Sequence, residues 1–209
     1  MRTTQPVARS STDSPRARDF LKVDAHLSEE EKDIREKIRS FVEERIEPNI
    51  KDRCERARFP RELVPDMGSL GVLGMHLKGY GRAGKGAVSY GSAFMELEAG
   101  DSDLRTLVSV QGSLAMTAIH EFGSEEQKEW WLPAMTWGEK VCCFGLTEPT
   151  AGSDPASMKT FARIEGPDWI LNGEKRWIGM GTSVRTYEGT DEVGTLVIGN
   201  AITGNPAFR

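Results

Sequence analysis

The sequence predicts an α+β chain in which an N-terminal helical domain is followed by a partial β-sheet domain and a short C-terminal helical remnant. Three observations carry this expectation. Apolar residues recur at helical spacing up to about residue 138. Two serine-headed capping boxes, Ser28-x-x-Glu31 and Ser124-x-x-Gln127, open helical stretches within that region. Beyond it the pattern changes to short extended runs separated by Gly, Pro and Asn.

Composition narrows the function classes. Of 209 residues, 38% are hydrophobic and 28% charged, with a formal net charge of -5. An acidic balance gives no bulk attraction to nucleic acid or to an anionic lipid surface. No apolar run approaches the roughly 18 residues of a membrane span. The three cysteines, Cys54, Cys142 and Cys143, form no disulfide framework and predict a reducing, cytoplasmic setting. His26, His76 and His120 lie far apart, so no metal site is expected.

Residues 1–26 are expected to be a disordered tail, polar and without a secretory apolar core. The helical domain is expected over 27–138. Its first helix opens at Ser28, and Ile34, Ile38, Phe41, Val42 and Ile46 share one face until Pro48 ends or kinks it. Pro60 opens a short helix toward Met67. Residues from about Val88 to Phe122 form two helices broken near Gly100-Asp101, and Ser124 starts another that carries Trp130 and Trp131. The partial β domain is expected over 139–183, with strands at Lys140–Thr147, Met158–Ile164 and Trp169–Leu171. Asn172-Gly173 is expected to turn the chain into a further strand, Glu174–Ile178. Residues 184–209 complete the chain as the helical remnant, although four glycines lower helix propensity there.

Two glycine patterns are discounted on context. Gly79-Tyr-Gly-Arg-Ala-Gly84 matches a dinucleotide fingerprint but lies between helices, not between a buried strand and a helix. As a phosphate loop it fails because Gly86, not Ser or Thr, follows Lys85. A flexible interhelical loop is expected.

The segment Phe144-Gly-Leu-Thr-Glu-Pro-Thr-Ala-Gly-Ser-Asp154 concentrates chemistry. Pro149 ends any pairing, Gly152 permits close backbone approach, and Thr147 and Ser153 supply hydroxyls. By physics alone this is either a capped strand-ending turn or a cofactor cradle.

Those residues, with Leu171-Asn-Gly-Glu-Lys-Arg-Trp-Ile178 behind them, resemble the acyl-CoA dehydrogenases. Lys78-Gly-Tyr-Gly and Leu132-Pro133 fit as well, and the resemblance runs over roughly residues 27 to 180. It implies an FAD enzyme that dehydrogenates an acyl-CoA thioester across Cα and Cβ, a homotetrameric relative, and an electron-transferring flavoprotein as partner. Within the family the pattern is most similar to the glutaryl-CoA subfamily. Glu96-Leu-Glu98 with Arg105-Thr106 and Ser109-Val-Gln111 carries this, together with Gly152–Met158, Thr186-Tyr-Glu-Gly-Thr190 and Ala201-Ile-Thr-Gly204.

The resemblance implies a role for each matching residue. Glu188 is the base that removes the Cα proton. Arg105 meets the distal carboxylate of a glutaryl chain, with Thr106, Ser153 and Gly189 also on the substrate. Phe144, Leu146, Thr147, Gly152, Ser153, Trp177, Ile178, Gly179 and Thr190 are the FAD-binding set. In this subfamily the enoyl product loses CO2 to give crotonyl-CoA. Gly179 departs from the threonine common at that place and is similar to a short-chain acyl-CoA oxidase type. The passage from Gly181 to Arg185 is expected to be an internal deletion of about half a family chain. As written, the sequence predicts weak or no FAD binding and no turnover. A non-catalytic remnant that binds a full-length relative through its helical domain is the alternative from another class.

Overall fold

The computed structural model describes residues 22–179. Helix α1 (Glu29–Phe41) begins where expected: the Ser28 hydroxyl accepts from the Glu31 amide, and the Glu31 carboxylate accepts from the Ser28 amide. It runs on through a wide π-type turn at Val42–Ile46 and a tight turn at Glu47–Asn49, which holds Pro48. Pro48 therefore tightens the path, which resumes as α2 (Ile50–Glu55). A 3-10 turn at Arg61–Leu63, with Pro60 at its head, leads into α3 (Val64–Ser69).

The expected interhelical glycine loop is instead a small antiparallel hairpin, β1 (Lys78–Gly79) with β2 (Arg82–Ala83). Arg82 fixes it from below. Its guanidinium donates to the carbonyls of Leu73 at 2.9 Å, Gly68 at 2.8 Å and Thr136 at 2.5 Å. Tyr80 donates to Glu125 at 2.9 Å. Contacts to three carbonyls outside the hairpin hold the loop in place.

Helices α4 (Ala87–Gly100) and α5 (Ser102–Ser109) break at Asp101, as the sequence predicts. Asp101 caps α5 by accepting from the amides of Asp103 and Leu104. A second π-type turn, Val110–Met116, continues α5 into α6 (Thr117–Phe122). Ser124 and Gln127 form the second capping box, opening α7 (Glu125–Thr136).

The apolar stripe of the first helix is the core: Ile38, Phe41, Val42 and Ile46 pack with Leu63, Met67, Leu73, Leu97, Leu104 and Leu107. Burying each such side chain contributes about 1.5–3 kcal/mol. A second cluster joins Leu77, Ala115, Met116, Ile119, Leu132 and Met135, with Cys142 at its edge. A buried charge cluster sits between α1 and α4. Glu96 of α4 is 5% exposed and accepts from Arg35 Nε at 2.7 Å and from Arg39 Nη2 at 2.7 Å.

The β region departs from the sequence expectation in four ways. Lys140–Thr147 forms no strand ladder among the described residues. The strands are β3 (Phe161–Glu165) and β4 (Asp168–Asn172), paired from Phe161↔Asn172 to Glu165↔Asp168. β3 starts later than Met158 because the Lys159 and Thr160 amides are taken by the Glu148 carboxylate. The hairpin turn is Gly166-Pro167, not Asn172-Gly173. Gly166 takes a φ of 62° at the first central position, where a II′ turn needs it. Gly173 serves a different purpose: a Cβ there would lie 2.1 Å from Thr160 Oγ1 and 2.7 Å from Thr160 Cα. Glu174–Ile178 pairs as no strand; its Arg176 amide donates to the Thr147 carbonyl at 2.8 Å.

No helix among the described residues is long and apolar enough to cross a membrane.

Candidate functional site

The two motifs singled out in the sequence meet at Glu148. Its side chain is buried, and its amide and carbonyl bridge to Ala151, closing a turn over Pro149-Thr150. Its carboxylate accepts from the Lys159 amide at 2.6 Å, the Thr160 amide at 3.0 Å and Lys175 Nζ at 2.9 Å. Lys175 Nζ also donates to the Leu146 carbonyl at 3.0 Å. The Thr160 side chain beside the carboxylate lowers its pKa most, followed by the Lys159 amide. With Lys175 and the Thr160 amide they outweigh burial and hold it at about 2. Glu148 is thus an anion at neutral pH, and its hydrogen bonds tie the loop to residues 159, 160 and 175.

Thr147 and Trp177 are brought side by side by the bond between Arg176 N and Thr147 O. Phe144, Leu146 and Thr147 are half-buried, and Gly152 and Ser153 are exposed. Among the described residues, no protein atom lies within 4 Å of where a Cβ would stand at Gly152 or at Gly179. Trp177 is 85% exposed, and its φ of 63° is one that a bulky residue rarely adopts. The Arg176 guanidinium sits 5.9 Å from its ring centre. Ile178 is half-buried.

At the surface of the helical domain, Arg105 is held by Glu98: Nε donates to Glu98 Oε2 at 2.5 Å. Arg105, with Ser102 behind it, lowers the Glu98 pKa. Among the described residues the terminal nitrogens of the Arg105 guanidinium make no hydrogen bond or ion pair. Thr106 is exposed one residue on. Glu188, Gly189, Thr190 and the passage from Gly181 to Arg185 lie outside the described residues.

Cys142 supports a packing role. Burial, then the neighbouring Cys143, pushes its thiol up to about 12, so it is no nucleophile at neutral pH. No cluster of metal-ligating side chains occurs among the described residues.

Two residues escaped the sequence reading of roles. Glu148 lay inside a quoted motif, where Pro149 and Gly152 drew attention instead. Gln111 is fully buried and bonds to Met135, Lys140 and Cys142. Gln111 stood in the quoted Ser109-Val-Gln111 motif, but its partners lie 24 to 31 residues away, where a local motif does not reach.

A helical unit that hands over through such a loop to the first strands of a β unit is the front part of an acyl-CoA dehydrogenase. Residues 28–139 match the model of the acyl-CoA dehydrogenase N-terminal domain, and residues 143–188 match that of its middle domain. The chain belongs to the acyl-CoA dehydrogenase family. Among solved structures it is similar to a glutaryl-CoA dehydrogenase from Mycobacterium smegmatis. The two are 58% identical with a TM-score of 0.76, over 79% of this chain and 43% of that one. A structure of a glutaryl-CoA dehydrogenase from the same organism, in complex with FADH2, matches at 56% identity and a TM-score of 0.75, over 78% of this chain and 42% of that one. The short-chain specific acyl-CoA dehydrogenase of Clostridium acetobutylicum is 36% identical over 79% of this chain and 44% of its own length. The chain therefore spans less than half the length of these relatives.

Proposed function

We propose that the chain belongs to a flavin-dependent dehydrogenase of acyl-CoA thioesters whose substrate is glutaryl-CoA. The observation that carries this is the junction at Thr147, Glu148 and Arg176, which joins the loop motif to the Trp177 motif. Open space at Gly152 and Gly179 and an uncovered indole fit a broad planar ligand with an anionic tail. In this reading Phe144, Leu146, Thr147, Gly152 and Ser153 hold FAD and its pyrophosphate, and Trp177, Ile178 and Gly179 lie along its ring system, with Thr190 completing the set. FAD, when bound, supplies the acceptor for the hydride that leaves Cβ. Glu188 takes the Cα proton, because a thioester α-proton needs a positioned base. Gly189 and Thr106 border the substrate. A glutaryl chain then loses CO2 to leave crotonyl-CoA, and an electron-transferring flavoprotein takes up the electrons. Family membership and the cysteine chemistry fit a cytoplasmic enzyme that works as a homotetramer.

Arg105 sets the acyl specificity. Glu98 fixes its Nε, which leaves the outer edge of the fork for a second carboxylate. Arg105→Ala is expected to lower kcat/KM for glutaryl-CoA by about 10–100-fold, the worth of hydrogen bonds to a charged group. Turnover of butyryl-CoA should change little. The test is flavin absorbance of the purified chain, followed by dye reduction with both thioesters. Equal losses on both substrates would sink the glutaryl reading, whereas a colourless chain without turnover is the outcome the sequence predicts for these 209 residues. Colourless chain that co-purifies with a full-length relative would mark a non-catalytic remnant. The open space at Gly179 favours a second reading, an oxidase. Anaerobic reduction followed by admission of air separates the two, since only an oxidase reoxidises quickly.

A further inference from the structure

We propose that Gln111 is a positioning residue for the segment 142–147, fixing it to the helical domain where a β-ladder would otherwise do so. The functional part of this inference rests on reading that segment as flavin-binding. The run after Lys140 has no strand partner among the described residues, yet both of its ends are tied by side-chain hydrogen bonds. Its far end is held by Glu148 and Lys175, as described above. At its near end one buried side chain bonds the backbone on both sides of Val141. Gln111 Nε2 donates to the Lys140 carbonyl at 2.8 Å and to the Met135 carbonyl at 3.2 Å, while its Oε1 accepts from the Cys142 amide at 2.9 Å. One primary amide thus satisfies the end of α7 and both sides of the exit from the helical domain.

The helix is shaped for this. Gln111 lies in the π-type turn Val110–Met116, and turns of this kind mark functional places in helices. Gln111, Gly112, Ala115 and Met116 of this turn are all buried. The glutamine is completely buried, so each of its bonds exists in a dry environment where a lost partner is costly. Farther along, no hydrogen bond of the Phe144 or Gly145 amides occurs among the described residues. Their position is inherited from the two ends.

The test is residue-resolved amide hydrogen exchange on the full chain. In the wild type, the Cys142 amide should exchange much more slowly than those of Phe144 and Gly145. Gln111→Met keeps the length and apolar fit but removes both donors and the acceptor. It is expected to speed exchange at Cys142 by about tenfold or more, while the α1 and α4 core amides keep their rates. FAD affinity, read by flavin fluorescence, should fall in parallel. The inference is overturned if wild-type Cys142 exchanges as fast as Phe144, if Q111M leaves Cys142 unchanged, or if exchange rises equally throughout the domain. The wild-type comparison decides the matter even if Q111M does not fold. A wild-type chain that binds no FAD would remove the flavin reading and leave the exchange result to judge Gln111.

Discussion

Glu96→Ala should cost the helical domain about 3–5 kcal/mol, the penalty for removing one partner of a buried ion pair. The carboxylate is 7% exposed and the Arg35 side chain 6%, so solvent screens neither. Burial by itself pushes the Glu96 pKa up. The Arg39 and Arg35 guanidinium groups outweigh it and hold the carboxyl below its ordinary range. Truncation would leave Arg35 with only Asp24, which is half exposed, and Arg39 with Glu36, which is 65% exposed. Since a domain of this size has about 5–15 kcal/mol in total, the variant should sit near its folding midpoint in mild denaturant. Glu96→Gln keeps an acceptor and should lose less. A urea midpoint for Glu96→Ala close to wild type, equivalent to under about 1 kcal/mol, would mean the cluster behaves as a surface pair.

The contrast between Glu96 and Ile38 shows what sequence could reveal. Helices were legible because their signals are local. A capping box needs four consecutive residues, an apolar stripe needs one helix, and Asp101 announces its break within two residues. The site motifs were legible through resemblance. What stayed hidden was long-range and polar. Glu96 looked like part of a substrate motif, yet its partners lie more than fifty residues away on α1. Asn172-Gly173 carries the dipeptide of a hairpin turn, yet its glycine is needed because Thr160 stands against it. Lys140–Thr147 has a strand's composition, but composition says nothing about whether a neighbour supplies a ladder. Here side chains from Gln111 and Lys175 supply the bonds instead.

Acid should loosen the loop at Glu148 over a pH window that follows from its depressed pKa. In the folded chain the carboxyl titrates near 2, against an ordinary 4.5. A depressed carboxyl contributes stability that is fully present above the ordinary value. That contribution is lost as the pH falls from about 4.5 through 2. Protonation removes the acceptor for the Lys159 and Thr160 amides and leaves Lys175, 18% exposed, beside a neutral group. Glu148→Gln makes the change permanent. Its amide oxygen can replace either Oε1, which accepts from the Thr160 amide and Lys175, or Oε2, which accepts from the Lys159 amide, and its NH2 then faces the remaining donors. Exchange of the Lys159 and Thr160 amides should therefore be faster by about tenfold or more at neutral pH in this variant. The wild type should reach the same rate, after correction for intrinsic exchange, only as the pH approaches 2. The helical domain offers the internal control, since Glu148→Gln touches none of its core. If the two amides keep their protection in the variant, the loop is held by its own turns and by Gly173 packing. If α1 and α4 lose protection equally, the carboxylate anchors the whole chain. Only selective loss beside β3 places Glu148 where its hydrogen bonds put it, as the anion around which the two motifs are assembled.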